Sequence, residues 1–168
     1  MPRFAADLSL MFTEVEPIAR IQAALDAGFE AVEMQFVYDL SLAEMERETA
    51  RTGVTWNILN IAVGAGVTMG PLVAAAPGMK AEFRENLEAA VAYAEATRPE
   101  NFVIPAYRPP DGVDRTEALA AFKENLWDAA ERFQELGIRT LIEPLNPEFR
   151  PQSLLTTSAG AVAAIAEV

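Results

Sequence analysis

Residues 122–146 read FKENLWDAAERFQELGIRTLIEPLN. Apolar residues recur at helical spacing in and just before this stretch, and they predict a helix over about residues 115–136: Leu119, Phe122, Leu126, Ala130 and Phe133. Gly137 is a typical helix C-terminal signal. The short apolar run that follows predicts a fully buried parallel strand over residues 139–143. A helix that leads directly into a buried strand is the repeating element of an α/β fold.

The same alternation extends over the rest of the chain. Further strands are predicted at residues 4–10, 31–34, 55–61 and 101–104. Further helices are predicted at residues 16–27, at 41–51 with Ser41 and Glu44 as a capping box, at 79–97, and from Ser158 to Val168. Five consecutive βα units imply one parallel sheet with right-handed crossovers.

Composition limits the classes of function. The chain has 168 residues, a length that suits one domain, and it contains neither cysteine nor histidine. Disulfides and thiolate metal sites are therefore excluded, and proton transfer near neutral pH would need carboxylates, Lys, Tyr or metal-bound water. The net charge of −12 argues against a nucleic-acid groove. Neither a membrane span nor a signal-peptide core is found, and the lack of cysteine fits the cytoplasmic location that is predicted.

Glu143 is the main candidate for a functional residue. It stands at the C-terminal end of the fifth predicted strand, and active sites of α/β barrels and doubly wound sheets are built at that edge. A carboxylate there must meet a metal ion, a cation or a substrate, because an unpaired buried charge is costly. An ion-paired residue on the rim of the sheet is the alternative interpretation.

The chain resembles the hydroxypyruvate isomerase family, within the xylose-isomerase-like TIM barrels. The best-matching segment is residues 122–146, in particular Phe122, Asn125, Leu126, Ala129-Ala130, Gly137, Ile142-Glu143-Pro144 and Asn146. Weaker matches are MPRFAA (1–6), MFTEV (11–15), GFEAVE (28–33), Pro77-Gly78 and EFR (82–84).

The resemblance implies a TIM (β/α)8 barrel of which only the first five βα units are present. Residues 1–168 are then expected to be the N-terminal part of a single barrel domain, and this fragment alone is expected to be inactive as an isomerase. A barrel of this type needs about 250 residues. A genuine five-unit, flavodoxin-like protein is the alternative fold.

The activity implied by the resemblance is aldose–ketose type isomerisation of a small hydroxy-carbonyl acid, with hydroxypyruvate and tartronate semialdehyde interconverting through an enediol. A divalent metal ion, Mg²⁺ or Mn²⁺, would hold the substrate oxygens in the complete enzyme. Glu143 would serve as metal ligand and as acid/base residue.

Other residues are weaker candidates. Asn60 ends the third strand, Asn146 follows Glu143, and Tyr38 follows the second strand; these three are predicted to bind substrate, with a structural role as the alternative for each. Asp7 is either a rim ligand or merely solvated, and for Glu33 a structural ion pair is favoured over a place at the mouth of the site. The Gly-rich residues 62–78 are interpreted as a flexible lid.

Three other functions remain open. A ketose 3-epimerase would share the Glu143 motif, although Pro147 and Phe149 replace the Arg and the second Glu usual in those enzymes. An endonuclease of this barrel class would need several histidine ligands and a basic groove. The chain could also be a non-catalytic half-barrel. The substrate within this class and the choice between Mg²⁺ and Mn²⁺ are left open by the sequence. A homo-oligomer is one option for the oligomeric state.

Overall fold

One parallel sheet forms the centre of the molecule. The structure is a computed structural model that describes residues 2–35, 37–63 and 73–168. The strands run in sequential order: β1 (Ala5–Asp7), β2 (Ala31–Met34), β3 (Thr55–Asn60), β4 (Asn101–Pro105) and β5 (Arg139–Glu143). Each neighbouring pair is parallel. A flavodoxin-like sheet would reverse its strand order, so that alternative is wrong and the fold is of the TIM-barrel type.

Helices alternate with the strands as the sequence predicts. They are α1 (Arg20–Asp26), α2 (Leu42–Thr52), α3 (Lys80–Thr97), α4 (Arg115–Gln134) and α5 (Ser158–Ile165), with single 3-10 turns at Pro17–Ala19 and Val73–Ala75. Gly137 ends the α4 segment with a φ of +73°, a backbone conformation that glycine adopts without strain.

Several predicted boundaries are wrong by a few residues. The first strand ends at Asp7 rather than at residue 10, because the Asp7 carbonyl accepts the N–H groups of Leu10 and Met11 and turns the chain. Thr157, not Ser158, caps α5, with its hydroxyl accepting the Gly160 N–H at 3.1 Å. Ser41 does begin α2, but through its carbonyl oxygen rather than through a side-chain capping bond.

The two faces of the sheet have different partners. On one face the strand side chains are buried against the helices, as in the stacking of Phe102 on Phe133 of α4 with ring centroids 4.5 Å apart. Trp56 also lies on this face and donates its indole N–H to Thr49 of α2 at 2.9 Å. Because α1 to α4 contact one another consecutively, they form one layer over this face. The opposite face carries the polar strand ends.

A β-bulge in β3 sets which side chains reach the opposite face. Val32 is paired with Trp56, but the next residue, Glu33, is paired with Ile58, so Asn57 is the extra residue. A bulge of one residue reverses the alternation of side chains along a strand. Trp56 therefore stays in the helix-facing core, and Ile58 and Asn60 point to the other side.

Candidate functional site

A cleft of about 290 Å³ lies on the sheet face opposite the helices, toward the carboxyl ends of the strands. It is lined by Glu33, Met34, Gln35, Ile58, Asn60, Val103, Leu141, Ile142 and Glu143. The structure thus brings together three candidates that are far apart in the sequence, namely Glu33, Asn60 and Glu143. Their common location follows from parallel pairing, which places the carboxyl ends of all strands at one edge.

Glu143 is the last residue of β5 and is held by the strand next to it. Its carbonyl oxygen accepts the Ala106 N–H at 3.4 Å, just beyond the end of β4. Glu143 remains exposed at the surface, yet partial burial of its carboxylate raises its pKa, and the positive charge of Arg150 partly opposes this rise. Within the described ranges no Lys or Arg lies within ion-pair distance of Glu143. The ion-paired rim residue is therefore not what the described residues form.

Glu33 has acidic rather than basic neighbours. Its pKa is raised first by burial, then by the negative charges of Asp7 and Glu143, while the Asn57 side chain opposes the rise. The structural ion pair favoured from the sequence is not formed with any described residue. Glu33 instead lines the cleft as a second carboxyl group whose protonation is favoured.

Asp7 is held by its neighbours rather than merely solvated. One carboxylate oxygen accepts the Ser9 N–H at 2.9 Å, and the other accepts the Gln35 side-chain amide at 3.0 Å. Ser9 in turn accepts the Gln35 N–H through its hydroxyl at 2.8 Å. These bonds fix a negative charge beside Glu33.

Tyr38 lies partly buried next to β3 and outside the cleft lining. Its hydroxyl donates to the Asn60 carbonyl oxygen at 2.8 Å, and its ring packs edge-on against Tyr93 with centroids 5.2 Å apart. Burial raises the pKa of Tyr38 far above its usual value. The hydroxyl therefore remains a donor that supports the end of β3, and the substrate-binding role of Tyr38 stays a prediction.

Asn146 organises the turn that follows β5. Its side-chain oxygen accepts the Glu148 N–H at 2.9 Å, and its carbonyl oxygen accepts the Arg150 N–H at 2.8 Å. Asn146 is exposed and does not line the cleft. Its contacts are those of a turn-forming residue, and direct substrate binding stays a prediction.

Arg150 and Tyr107 belong to the same region, although the sequence analysis did not single them out. The Arg150 guanidinium carbon lies 5.7 Å from the centroid of the Tyr107 ring. Burial and the charge of Glu143 raise the pKa of Tyr107, and Arg150 opposes this rise. Both residues stand in loops just after strands β4 and β5. Glu143 was selected because it stands at the C-terminal end of a predicted strand. The same reasoning would have found Arg150 and Tyr107 if it had included the loops that follow the strands.

The described residues do not complete a metal site. Nowhere in residues 2–35, 37–63 and 73–168 do three Asp, Glu, His or Cys side chains gather closely enough to hold a metal ion. Glu143 could supply one ligand, and further ligands would have to come from elsewhere.

Most of the segment interpreted as a lid, residues 64–72, lies outside the described residues. Within the part that is described, no helix has the length and apolar character needed to cross a bilayer.

Comparison with known proteins gives consistent matches. A family model described as "Xylose isomerase-like TIM barrel" matches residues 21–168. The chain is 36% identical over 151 residues to the 2-oxo-tetronate isomerase of Cupriavidus necator, covering 90% of this chain and 58% of that protein. It is 32% identical over 168 residues to the hydroxypyruvate isomerase of Escherichia coli, covering 100% of this chain and 65% of that protein.

A solved structure gives the same result. The crystal structure of an AP endonuclease, family 2, from Brucella melitensis matches with a TM-score of 0.89 and 33% identity, over 99% of this chain and 64% of that one. The chain thus spans about three fifths of the length of the proteins it matches.

Proposed function

The chain belongs to the xylose isomerase-like TIM-barrel family, and we propose that its cleft is the site of an aldose–ketose type isomerase acting on a small hydroxy-oxo acid. The substrates in question are hydroxypyruvate, interconverted with tartronate semialdehyde, or a closely related 2-oxo-tetronate. Hydroxypyruvate and 2-oxo-tetronate are the compounds named for relatives that are 32–36% identical to nearly the whole chain.

One observation carries the proposal: a carboxylate with a raised pKa, Glu143, stands at the carboxyl end of β5 and shares a cleft with Glu33 and Asn60. A general base works best when its pKa lies near the working pH, and burial shifts the pKa of Glu143 in that direction. In barrels of this type the carboxyl ends of the strands carry the catalytic residues.

The proposed reaction moves one proton between neighbouring carbons. The Glu143 carboxylate removes a proton from the hydroxymethyl carbon of hydroxypyruvate. The electron pair of that C–H bond forms the double bond of an enediol, and the carbonyl oxygen takes a proton from water to become a hydroxyl group. Protonated Glu143 returns its proton to the neighbouring carbon, and the hydroxyl of the first carbon gives its proton to water as it becomes the aldehyde. The product, tartronate semialdehyde, has the same atoms as the substrate.

The polar side chains around Glu143 have supporting roles in this proposal. Asn60 lines the cleft and offers a carboxamide to a substrate oxygen. Its backbone carbonyl is held by the Tyr38 hydroxyl, so the end of β3 is fixed next to the reacting carbons. Asn146 acts through the turn after β5 rather than from the cleft.

A divalent metal ion, Mg²⁺ or Mn²⁺, is part of the proposal only for the complete enzyme. The residues described here do not fit a metal site on their own, since Glu143 would be a single carboxylate ligand without the partners that a divalent ion requires. No step above is therefore assigned to a metal.

Two alternatives have weaker support. The Brucella protein is described as an AP endonuclease, but a net charge of −12 disfavours binding to a phosphate backbone. A ketose 3-epimerase would act on neutral sugars, and Pro147 and Phe149 stand where such enzymes usually have Arg and Glu.

Proton NMR in D₂O tests the proposal on the full-length protein. With hydroxypyruvate as substrate, we expect tartronate semialdehyde signals to appear and solvent deuterium to enter at the carbons that exchange protons. D-fructose, offered in parallel, should not be epimerised. Epimerisation of fructose without any change in hydroxypyruvate or a 2-oxo-tetronate would favour the epimerase and contradict the proposed function.

A further inference from the structure

Arg150 is held in a fixed place beside the cleft by its own backbone. Its N–H donates to the Asn146 carbonyl oxygen at 2.8 Å, and its carbonyl oxygen accepts the hydroxyl of the buried Ser153 at 2.8 Å. The segment that follows is bonded to the loop after β4, because the Leu154 N–H donates to the carbonyl oxygens of Ala106 and Tyr107. Backbone hydrogen bonds therefore join the loops after β4 and β5, and Arg150 stands in the second of these loops.

The guanidinium of Arg150 lies over the Tyr107 ring but is not neutralised there. A cation–π contact at 5.7 Å attracts the cation without satisfying its charge or its hydrogen-bond donors. Within the described ranges no carboxylate comes within 4.0 Å of it. Its positive charge nevertheless reaches both Glu143 and Tyr107.

This cation contrasts with the rest of the site. Among the described residues, the ionisable side chains that line the cleft are the carboxylates of Glu33 and Glu143, and Asp7 lies beside Glu33. A substrate that carries a carboxylate would be repelled by these groups unless a cation held it. Among the described residues, Arg150 is the cation whose charge acts on Glu143, from the loop just outside the cleft lining. A guanidinium binds a carboxylate through two parallel hydrogen bonds.

We propose that Arg150, which lies over the Tyr107 ring, binds the carboxylate of the substrate and thereby selects hydroxy-oxo acids over neutral sugars. This inference rests on the proposed isomerase function, whose substrates are acids. A carboxylate held by Arg150 places the adjoining oxo and hydroxyl carbons on the side of Glu143. Arg150 is thus a specificity-determining residue that does not itself transfer the proton.

Three variants of the full-length protein test the proposal. R150M removes the positive charge, and R150K keeps the charge but cannot form the bidentate pair of hydrogen bonds with a carboxylate. R108M is the matched control, because Arg108 lies in the same β4–α4 loop region as Tyr107 but is already paired with Asp111 at 2.6 Å. Calorimetric titration with D-glycerate gives a binding readout that does not depend on turnover, since this hydroxy acid has no oxo group and cannot form the enediol.

We expect R150M to weaken glycerate binding by about 10- to 100-fold, as for the loss of a hydrogen bond to a charged group, with R150K intermediate and R108M unchanged. In the isomerase assay, KM for hydroxypyruvate should rise in R150M far more than kcat falls. Wild-type protein that does not bind glycerate, or R150M that binds it as tightly as the wild type, would overturn the inference.

The two proposals can fail separately. Unchanged kcat/KM for hydroxypyruvate in R150M would overturn the role of Arg150 while the isomerase activity stands. Glycerate binding that depends on Arg150, in a wild-type protein that isomerises neither hydroxypyruvate nor a 2-oxo-tetronate, would support an acid-binding site and reject the proposed function.

Discussion

Asp7 and Glu33 are register partners on the neighbouring parallel strands β1 and β2, so two carboxylates stand side by side on the inner face of the sheet. Hydrogen bonds from Ser9 and Gln35 hold Asp7 in position. The charge of Asp7 adds to burial in raising the pKa of Glu33. Perturbed carboxylates that gather in a cleft are typical of functional sites, and they have a cost in stability.

Because the ionised Glu33 lowers stability at neutral pH, E33Q should increase the stability of the protein in a pH-dependent way. Since the pKa of Glu33 is raised in the folded state, its contribution to stability is fully present below its unfolded pKa, about 4.3, and is lost as the pH rises through the folded pKa. E33Q should therefore melt at a higher temperature than the wild type at pH 7 to 8, and the difference should vanish near pH 4. Thermal denaturation across this range is the measurement. E33Q less stable than wild type at pH 8 would contradict the assignment.

Asn146 provides a second test, because its side chain bonds to the turn rather than lining the cleft. N146A should lose about 1 kcal/mol in urea denaturation, the usual net contribution of one hydrogen bond. N146D retains an acceptor for the Glu148 N–H and should lose less. If N146D keeps the stability but loses as much activity as N146A, the carboxamide acts on the substrate directly and the turn role is incomplete.

Much of the fold could be predicted from the sequence because the local signals agree with one another. The prediction that residues 139–143 are fully buried is wrong, since every residue of β5 is exposed or only partly buried. The helix face containing Phe122 and Phe133, the Gly137 stop and the apolar run before Glu143 each indicate the same βα unit. The position of Glu143 at a strand end also led to the edge of the sheet where the cleft lies. The first strand was overestimated because the hydrogen bonds that turn the chain at Asp7 are not visible in composition.

The site was harder to predict than the fold, because it depends on neighbours distant in sequence. Glu33 was expected in an ion pair, but strand register places it next to Asp7 instead. The bulge at Asn57 turns Ile58 and Asn60 toward the cleft, and no sequence signal marked it. Arg150 was missed since its proximity to Tyr107 depends on two loops pairing through backbone bonds.

Metal binding is the third test. If Glu143 is a ligand in the full-length protein, E143Q should weaken Mn²⁺ binding by more than the roughly 10- to 100-fold typical of losing an outer-shell partner. Titration followed by electron paramagnetic resonance measures free Mn²⁺ directly. E148Q is the control, because Glu148 is exposed on the turn after β5. Equal Mn²⁺ affinity in E143Q and the wild type would remove Glu143 from the ligand set.

An apolar cleft of about 510 Å³ between α4, β5 and α5 leads to a fourth test. Trp127 lines it and remains half exposed, with Leu126, Ile142 and Ile165 nearby. A polypeptide of these 168 residues is expected to self-associate through this surface, because exposed apolar patches promote association. Size-exclusion chromatography with light scattering should show smaller species for W127E than for the wild type. L10E changes an exposed residue elsewhere and serves as the control; a stable wild-type monomer would contradict this expectation.

The measurement that bears most directly on the proposed function is turnover of hydroxypyruvate by E143Q and E148Q in the full-length protein. Glutamine keeps the size of the side chain but cannot accept the substrate proton, so kcat of E143Q should fall by about 10²- to 10⁴-fold, the usual contribution of a general base. E148Q should turn over like the wild type, and circular dichroism should show all three proteins folded. Near-wild-type turnover in folded E143Q would contradict the assignment of Glu143 as the base.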